Sequence, residues 1–132
     1  MTVPTTLEIR RIYGDKSRDP GSVRILVDRL WPRGISRKIA AIDLWAKDWA
    51  PGEELRHFFH NHPDRFGEFA NRYQRELLSR KRQILEEVRP YRGKHIILLY
   101  AFANTLENNA VVLKDVLDNW IGEGGAGASG SP

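Results

Sequence analysis

Residues 95–101 read HIILLYA, an unbroken apolar run of strand length, and no other stretch of the 132 residues restricts the fold as much. A strand with one wet face alternates polar and apolar side chains. A continuous run belongs instead to a strand covered on both faces, the usual situation in a mainly parallel sheet. Residues 23–30 repeat the theme, with Val23, Ile25 and Val27 on one face and Leu26 and Leu30 on the other. Two strands of this kind need a layer on each side, which implies an α/β arrangement.

The remaining elements follow from periodicity and punctuation. Residues 7–13 form a third expected strand, and residues 14–22 (GDKSRDPGS) collect turn-forming side chains and read as a loop. Trp31, Pro32, Arg33 and Gly34 end the second strand, since Pro has no N–H for the ladder and Gly reaches positive φ. Residues 36–50 read as partly helical, 53–60 as a short helix, and His62-Pro63 as the N-cap and first residue of a longer one. At 100° per residue Phe66, Ala70, Tyr73, Leu77, Ile84 and Val88 fall in one stripe narrower than about 60°, predicting a long helix over 63–88 kinked near Ser79. Asn104 with Glu107 predicts the start of a last helix, whose apolar face is Ala110, Leu113, Leu117 and Trp120. The expected fold is therefore a small single-domain α/β sandwich over residues 1–121, with a central, mostly parallel sheet flanked by helices. Residues 122–132 (GEGGAGASGSP) have nothing to bury and are expected to be disordered.

Composition removes several function classes. The chain has no cysteine, which excludes disulfides, thiolate metal sites and cysteine nucleophiles. No run approaches the roughly 20 apolar residues of a spanning helix, and the first eleven residues lack the apolar stretch of a signal peptide, so a cytoplasmic chain is expected. Nucleophile-elbow, P-loop and dinucleotide glycine motifs are absent. His57, His60 and His62 lack the i, i+4 spacing of helical zinc ligands, and no metal site is expected. Glu53 and Glu54 follow Pro51-Gly52 and are best explained as favourable charge in a first helical turn.

Charge points toward anions. The net charge is +4, and fifteen of the 21 basic residues are Arg, whose planar fork suits carboxylates and phosphates. Residues 27–34 (VDRLWPRG) lie at the exit of a central strand, where open α/β sheets place their ligands. If the two central strands are parallel neighbours, Arg29, Arg33, Tyr100 and Asn108 can line one crevice and offer guanidinium and neutral donors to an anion. The plainer alternative is that Asp28 pairs internally with an Arg and Trp31 caps the core. The expected long helix also carries Arg65, Arg72, Arg75, Arg82 and Arg89 opposite its apolar stripe, a possible nucleic-acid face. Glu68 to Arg72 and Glu76 to Arg80 have the i, i+4 order of a solvated, ion-paired surface, which makes nucleic acid the weaker reading.

These residues also support a resemblance. VDRLWPRG, the spaced set Asp43, Trp45, Lys47, Ala50 and Pro51, then Leu55, Arg56, Phe59 and His60, then Phe69, Tyr73, Glu76 and Leu77, and finally Leu98 to Tyr100 with Asn108 and Ala110, resemble the DUF488 family. The likeness is to its short, YeaO-like bacterial members of uncharacterised function. It covers nearly the whole domain and implies a compact cytoplasmic α/β protein. Two departures stand out: Phe102, Ala103 and Asn104 replace a polar Lys-Asp pattern that usually follows the last strand, and Gly52 stands where Ser is common. No role for that Lys and Asp carries over to this chain. The matching positions Arg29, Arg33, Lys47, Arg56, His60, Tyr100 and Asn108 form an electropositive set. The resulting expectation is a small anionic ligand held by Arg29, Arg33, Lys47, Arg56 and Asn108, with His60 or Tyr100 as acid or base if the chain is an enzyme. Its alternatives are a nucleic-acid module using helix 63–89 and an interaction protein without catalysis.

Overall fold

A computed structural model of the chain describes residues 3–15 and 19–128. Strands β1 (Thr6–Arg11), β2 (Ser22–Leu26), β3 (Leu44–Trp45) and β4 (His95–Tyr100) form one sheet in the order β1-β4-β2-β3, and every pairing is parallel. The two apolar runs are indeed neighbours: β4 lies between β1 and β2, with Ile96 aligned on both Leu7 and Val23. Helices α1 (Arg37–Ala40), α2 (Glu53–Asn61), α3 (Phe66–Ser79), α4 (Lys81–Val88) and α5 (Asn109–Ala128) complete the domain. The α/β class and its central parallel sheet are as the sequence implies.

The two faces of the sheet are covered unequally. Val23, Ile25, Ile96, Leu98 and Tyr100 meet the apolar sides of α2 to α5, including Leu55, Phe69, Tyr73, Leu77, Ile84 and Leu113. On the opposite face Leu26, Ile97 and Leu99 are covered by Ile12, Ala40, Trp31, Ile35 and Trp45, mostly from connecting segments. That thin layer also buries Arg24, whose guanidinium pairs with Asp15 at 2.7 Å and donates to the Ala40 carbonyl. A buried ion pair of this kind loses hydration on both charges and persists because its remaining donors are satisfied.

Element boundaries depart from the sequence reading for local reasons. β2 stops at Leu26; Val27 makes a final bond to the Leu99 carbonyl at 3.0 Å, Asp28 then turns away, and Leu30 is exposed. Residues 36–50 hold one helical turn, α1, then β3 and a 3-10 turn at Lys47–Trp49. A two-residue strand is too short to show a period. The expected long helix is two helices, because Arg80 leaves helical geometry at φ −113°, ψ 12°. Its guanidinium donates to the Asp48 and Ala50 carbonyls, and Ser79 donates back to the Glu76 carbonyl, competing with the regular ladder. His62 caps the end of α2 rather than the start of α3, which begins at Phe66. Asn104 accepts the Leu106 and Glu107 amides in a turn, and the true N-cap of the last helix is Asn108, accepting from Val111 at 3.0 Å.

α5 continues to Ala128, past residue 121 where the sequence places the end of the ordered domain; residues 129–132 lie outside the described residues. The stretch 122–132 has five glycines and no large apolar side chain. A chain ending at Ile121 is therefore expected to keep its thermal unfolding midpoint in a circular dichroism melt. A fall of several degrees would mean that these residues help to hold α5.

Candidate functional site

The carboxyl ends of β2 and β4 open onto a cavity of about 320 Å³. Its walls come from several separate places in the chain. The exit of β2 supplies Asp28, Arg29, Leu30, Trp31, Pro32 and Arg33; α2 supplies Arg56, Phe59 and His60; the exit of β4 supplies Ala101 and Phe102. Tyr13, Phe69 and Asn109 close it. Arg56, Phe59 and His60 share a helical face because they are three and four residues apart. Gly34, at φ +76°, lets the 31–34 segment turn back, and the Tyr13 hydroxyl holds that turn by donating to the Arg33 carbonyl at 2.8 Å.

Asp28 is the most constrained of these groups. Its carboxylate accepts from the Ala101 amide at 2.9 Å and the Asn109 side-chain amide at 3.2 Å, while its carbonyl accepts from the Trp45 indole at 2.8 Å. The internal Arg partner that the sequence allowed is not found among the described residues. Burial without a cation raises the carboxyl to about 6, against the lowering effect of the bonds from Asn109 and Ala101. A carboxyl so placed in a cleft can take or release a proton near neutrality.

The arginines differ in how firmly they are held. Arg29 Nε donates to the Pro51 carbonyl at 3.0 Å. Arg56 Nε is buried with no hydrogen-bond partner among the described residues. Arg33 is exposed, held through its backbone rather than its guanidinium. No carboxylate forms an ion pair with any of the three among the described residues. By contrast Arg65, Arg72, Arg80 and Arg89 on α3, α4 and their junctions all face glutamates; Arg72 with Glu68 and Arg80 with Glu76 are the expected i, i+4 pairs.

Four of the seven sequence-derived positions thus meet in the cleft: Arg29, Arg33, Arg56 and His60. The other three lie elsewhere. Lys47 Nζ sits 4.0 Å over the Trp45 ring, on the thinly covered face of the sheet. Tyr100 is buried in the main core and hydrogen-bonds Asn108; burial pushes its hydroxyl up, partly opposed by the Arg11 charge and that bond. Asn108 is occupied as the helix cap. The three clustered histidines also part: His57 lies 3.8 Å from Glu53, His62 packs on the Phe58 ring, and only His60 lines the cavity. Among the described residues, no three His, Asp or Glu side chains are grouped to hold a metal ion. Sequence reasoning missed Asn109, because placing the cap at Asn104 shifts the helix start and with it which of two adjacent asparagines reaches the strand.

The comparisons with known proteins agree with the resemblance. The chain matches a family described as the Inactive DUF488-N3 subclade over residues 6–132. It belongs to the DUF488 family. An uncharacterized protein of Mycobacterium tuberculosis is 38% identical over 119 residues, covering 89% of this chain and 98% of the relative. The Escherichia coli uncharacterized protein YeaO is 36% identical over 111 residues, 84% of this chain and 96% of its own. No solved structure matches. Among the described residues of this DUF488 chain, no helix is long and apolar enough to cross a membrane.

The Asp28 carboxyl gives a test that needs no ligand. Its value of about 6, against an ordinary 3.8, means that the folded chain binds this proton more tightly than the unfolded one. Its contribution to stability is then fully present below about pH 4 and is lost as pH rises through about 6, a change on the order of 3 kcal/mol. Asp28→Asn is expected to flatten the urea-unfolding free energy between pH 4 and 7 by roughly that amount relative to the native chain. Identical pH slopes for the two proteins would show that Asp28 titrates at its ordinary value.

Proposed function

We propose that this protein binds a small anionic molecule in the cleft between α2 and the exits of β2 and β4, and holds it without turning it over. The observation that carries the reading is the set of three arginines in one cavity, Arg29, Arg33 and Arg56, with no carboxylate ion-paired to any of them among the described residues. Guanidinium groups assembled without a carboxylate in ion-pair contact repel one another, and a bidentate oxyanion relieves that repulsion. The buried, unpartnered Nε of Arg56 supports the same conclusion, since an orphan donor costs free energy until something accepts from it. Binding rather than catalysis is favoured by the inactive description of the matching subclade. Glutamates neutralise Arg65, Arg72, Arg80 and Arg89, which leaves Arg75 and Arg82 as the arginines of that face outside an ion pair among the described residues and weakens the nucleic-acid reading.

Thermal unfolding with inorganic phosphate and sulfate tests this reading. Both anions are expected to raise the native midpoint, by the usual linkage of binding to folding. Arg33→Ala should leave the unliganded chain within about 0.5 kcal/mol of native stability and abolish the anion response. Arg29→Ala should lose about 1 kcal/mol as well as the response, because the Pro51 carbonyl loses its donor. Midpoints that never move with anion would refute the site. Duplex DNA is expected to show no binding at about 150 mM salt, and salt-sensitive, sub-micromolar binding would favour the nucleic-acid reading instead.

A further inference from the structure

The anion reading leaves most of the cleft unexplained. A volume of about 320 Å³ equals roughly ten waters at about 30 Å³ each, far more than one oxyanion displaces. Nor is the rest polar. Phe102 is half-buried and stacked on Phe59, their ring centroids 5.0 Å apart at 27°, and Phe59 stacks in turn on Phe69 at 4.2 Å and 17°. All three rings line the cavity, and Phe102 is the least buried of them. Leu30, 58% exposed, lines it as well. Apolar walls around ordered water are unfavourable, and they become favourable when an apolar body replaces the water.

Asp28 adds a restriction on that body. Its carboxyl lines the same cavity as the arginines, so a ligand charged throughout would meet both attraction and repulsion. A molecule with one anionic end and an uncharged remainder satisfies both halves of the lining. A flat remainder fits best, because the half-buried ring of Phe102 forms part of the wall and rings are favoured in offset stacks.

We propose, on the strength of the anion reading above, that the ligand is an aryl or heteroaryl oxyanion whose ring lies against Phe102 while its phosphate or carboxylate is held by Arg29, Arg33 and Arg56. The phosphate and carboxylate forms share this chemistry. They are separated by titrating the full chain calorimetrically with two matched pairs, methyl phosphate against phenyl phosphate and acetate against benzoate.

In at least one pair the aromatic member is expected to bind about tenfold more tightly, the size of one good stacking contact. The pair that shows the advantage identifies the anion. Phe102→Leu keeps an apolar side chain of similar bulk and is expected to shrink the aromatic advantage to less than about threefold. If aromatic and aliphatic members bind equally to the native chain, the ring proposal is overturned while the anion site stands. If none of the four binds, both fall. An aromatic advantage that survives Phe102→Leu intact overturns the assignment of the ring to this wall.

Discussion

The carboxylate of Asp28 joins three parts of the chain that are distant in sequence. It accepts from the amide at which the chain leaves β4 and from the side chain of Asn109 in the first turn of α5, while its own carbonyl takes the indole N–H of Trp45 in β3. Because β2 and β4 are parallel neighbours, their carboxyl ends emerge side by side, and Asp28 is the first residue beyond the shared ladder. Its bonds divert the chain away from the sheet plane. The following residues, 29–34, then form a separate wall, and the space between that wall and α2 is the cleft. Without the diversion β2 would continue to Leu30, as its apolar pattern suggests, and Arg29 would be carried on the strand instead of on that wall.

This placement has an energetic cost at the site itself. A carboxyl taken from water without a cation destabilises the fold at neutral pH, and the bonds it accepts offset only part of that loss. Arg56 Nε, buried and unpartnered, adds a second unfavourable group to the same cavity. Two incompletely compensated polar groups in this one cleft fit the general pattern that binding sites break rules kept elsewhere. Elsewhere among the described residues Arg10 Nη1 is another buried donor without a hydrogen bond, but the other buried polar groups are matched. Arg24 is matched to Asp15, Trp49 donates to Glu87 at 2.6 Å, and Tyr73 donates to the Trp49 carbonyl.

How much of this the sequence disclosed depends on the length over which a signal is spread. The two apolar runs span many residues, and from them two central strands of a mostly parallel sheet were legible, though not that β2 and β4 are neighbours. The helical stripe from Phe66 to Val88 survived even the break at Arg80, since Tyr73, Leu77, Ile84 and Val88 are all buried. Features set by single contacts were hidden. The strand β3 is two residues long, the break at Arg80 depends on carbonyls thirty residues away, and the choice between Asn108 and Asn109 depends on where a cap falls. The candidate site shows the same split. Arg56 and His60 came from the family resemblance and Arg33 from its loop, whereas Tyr100 and Asn108 turn inward because the strand presents alternate residues to the core and the helix claims its cap.

The central claim is that the cleft at the ends of β2 and β4 is where this protein meets an anion. Proton–nitrogen correlation spectra of the full chain, recorded while inorganic phosphate is added at constant ionic strength, test it most directly. The amides expected to move lie in three segments, residues 28–33, 51–60 and 101–109, with the Arg56 and Arg33 side-chain resonances moving with them. Spectra that do not change, or shifts gathered on the arginines of α3 and α4, would contradict the account.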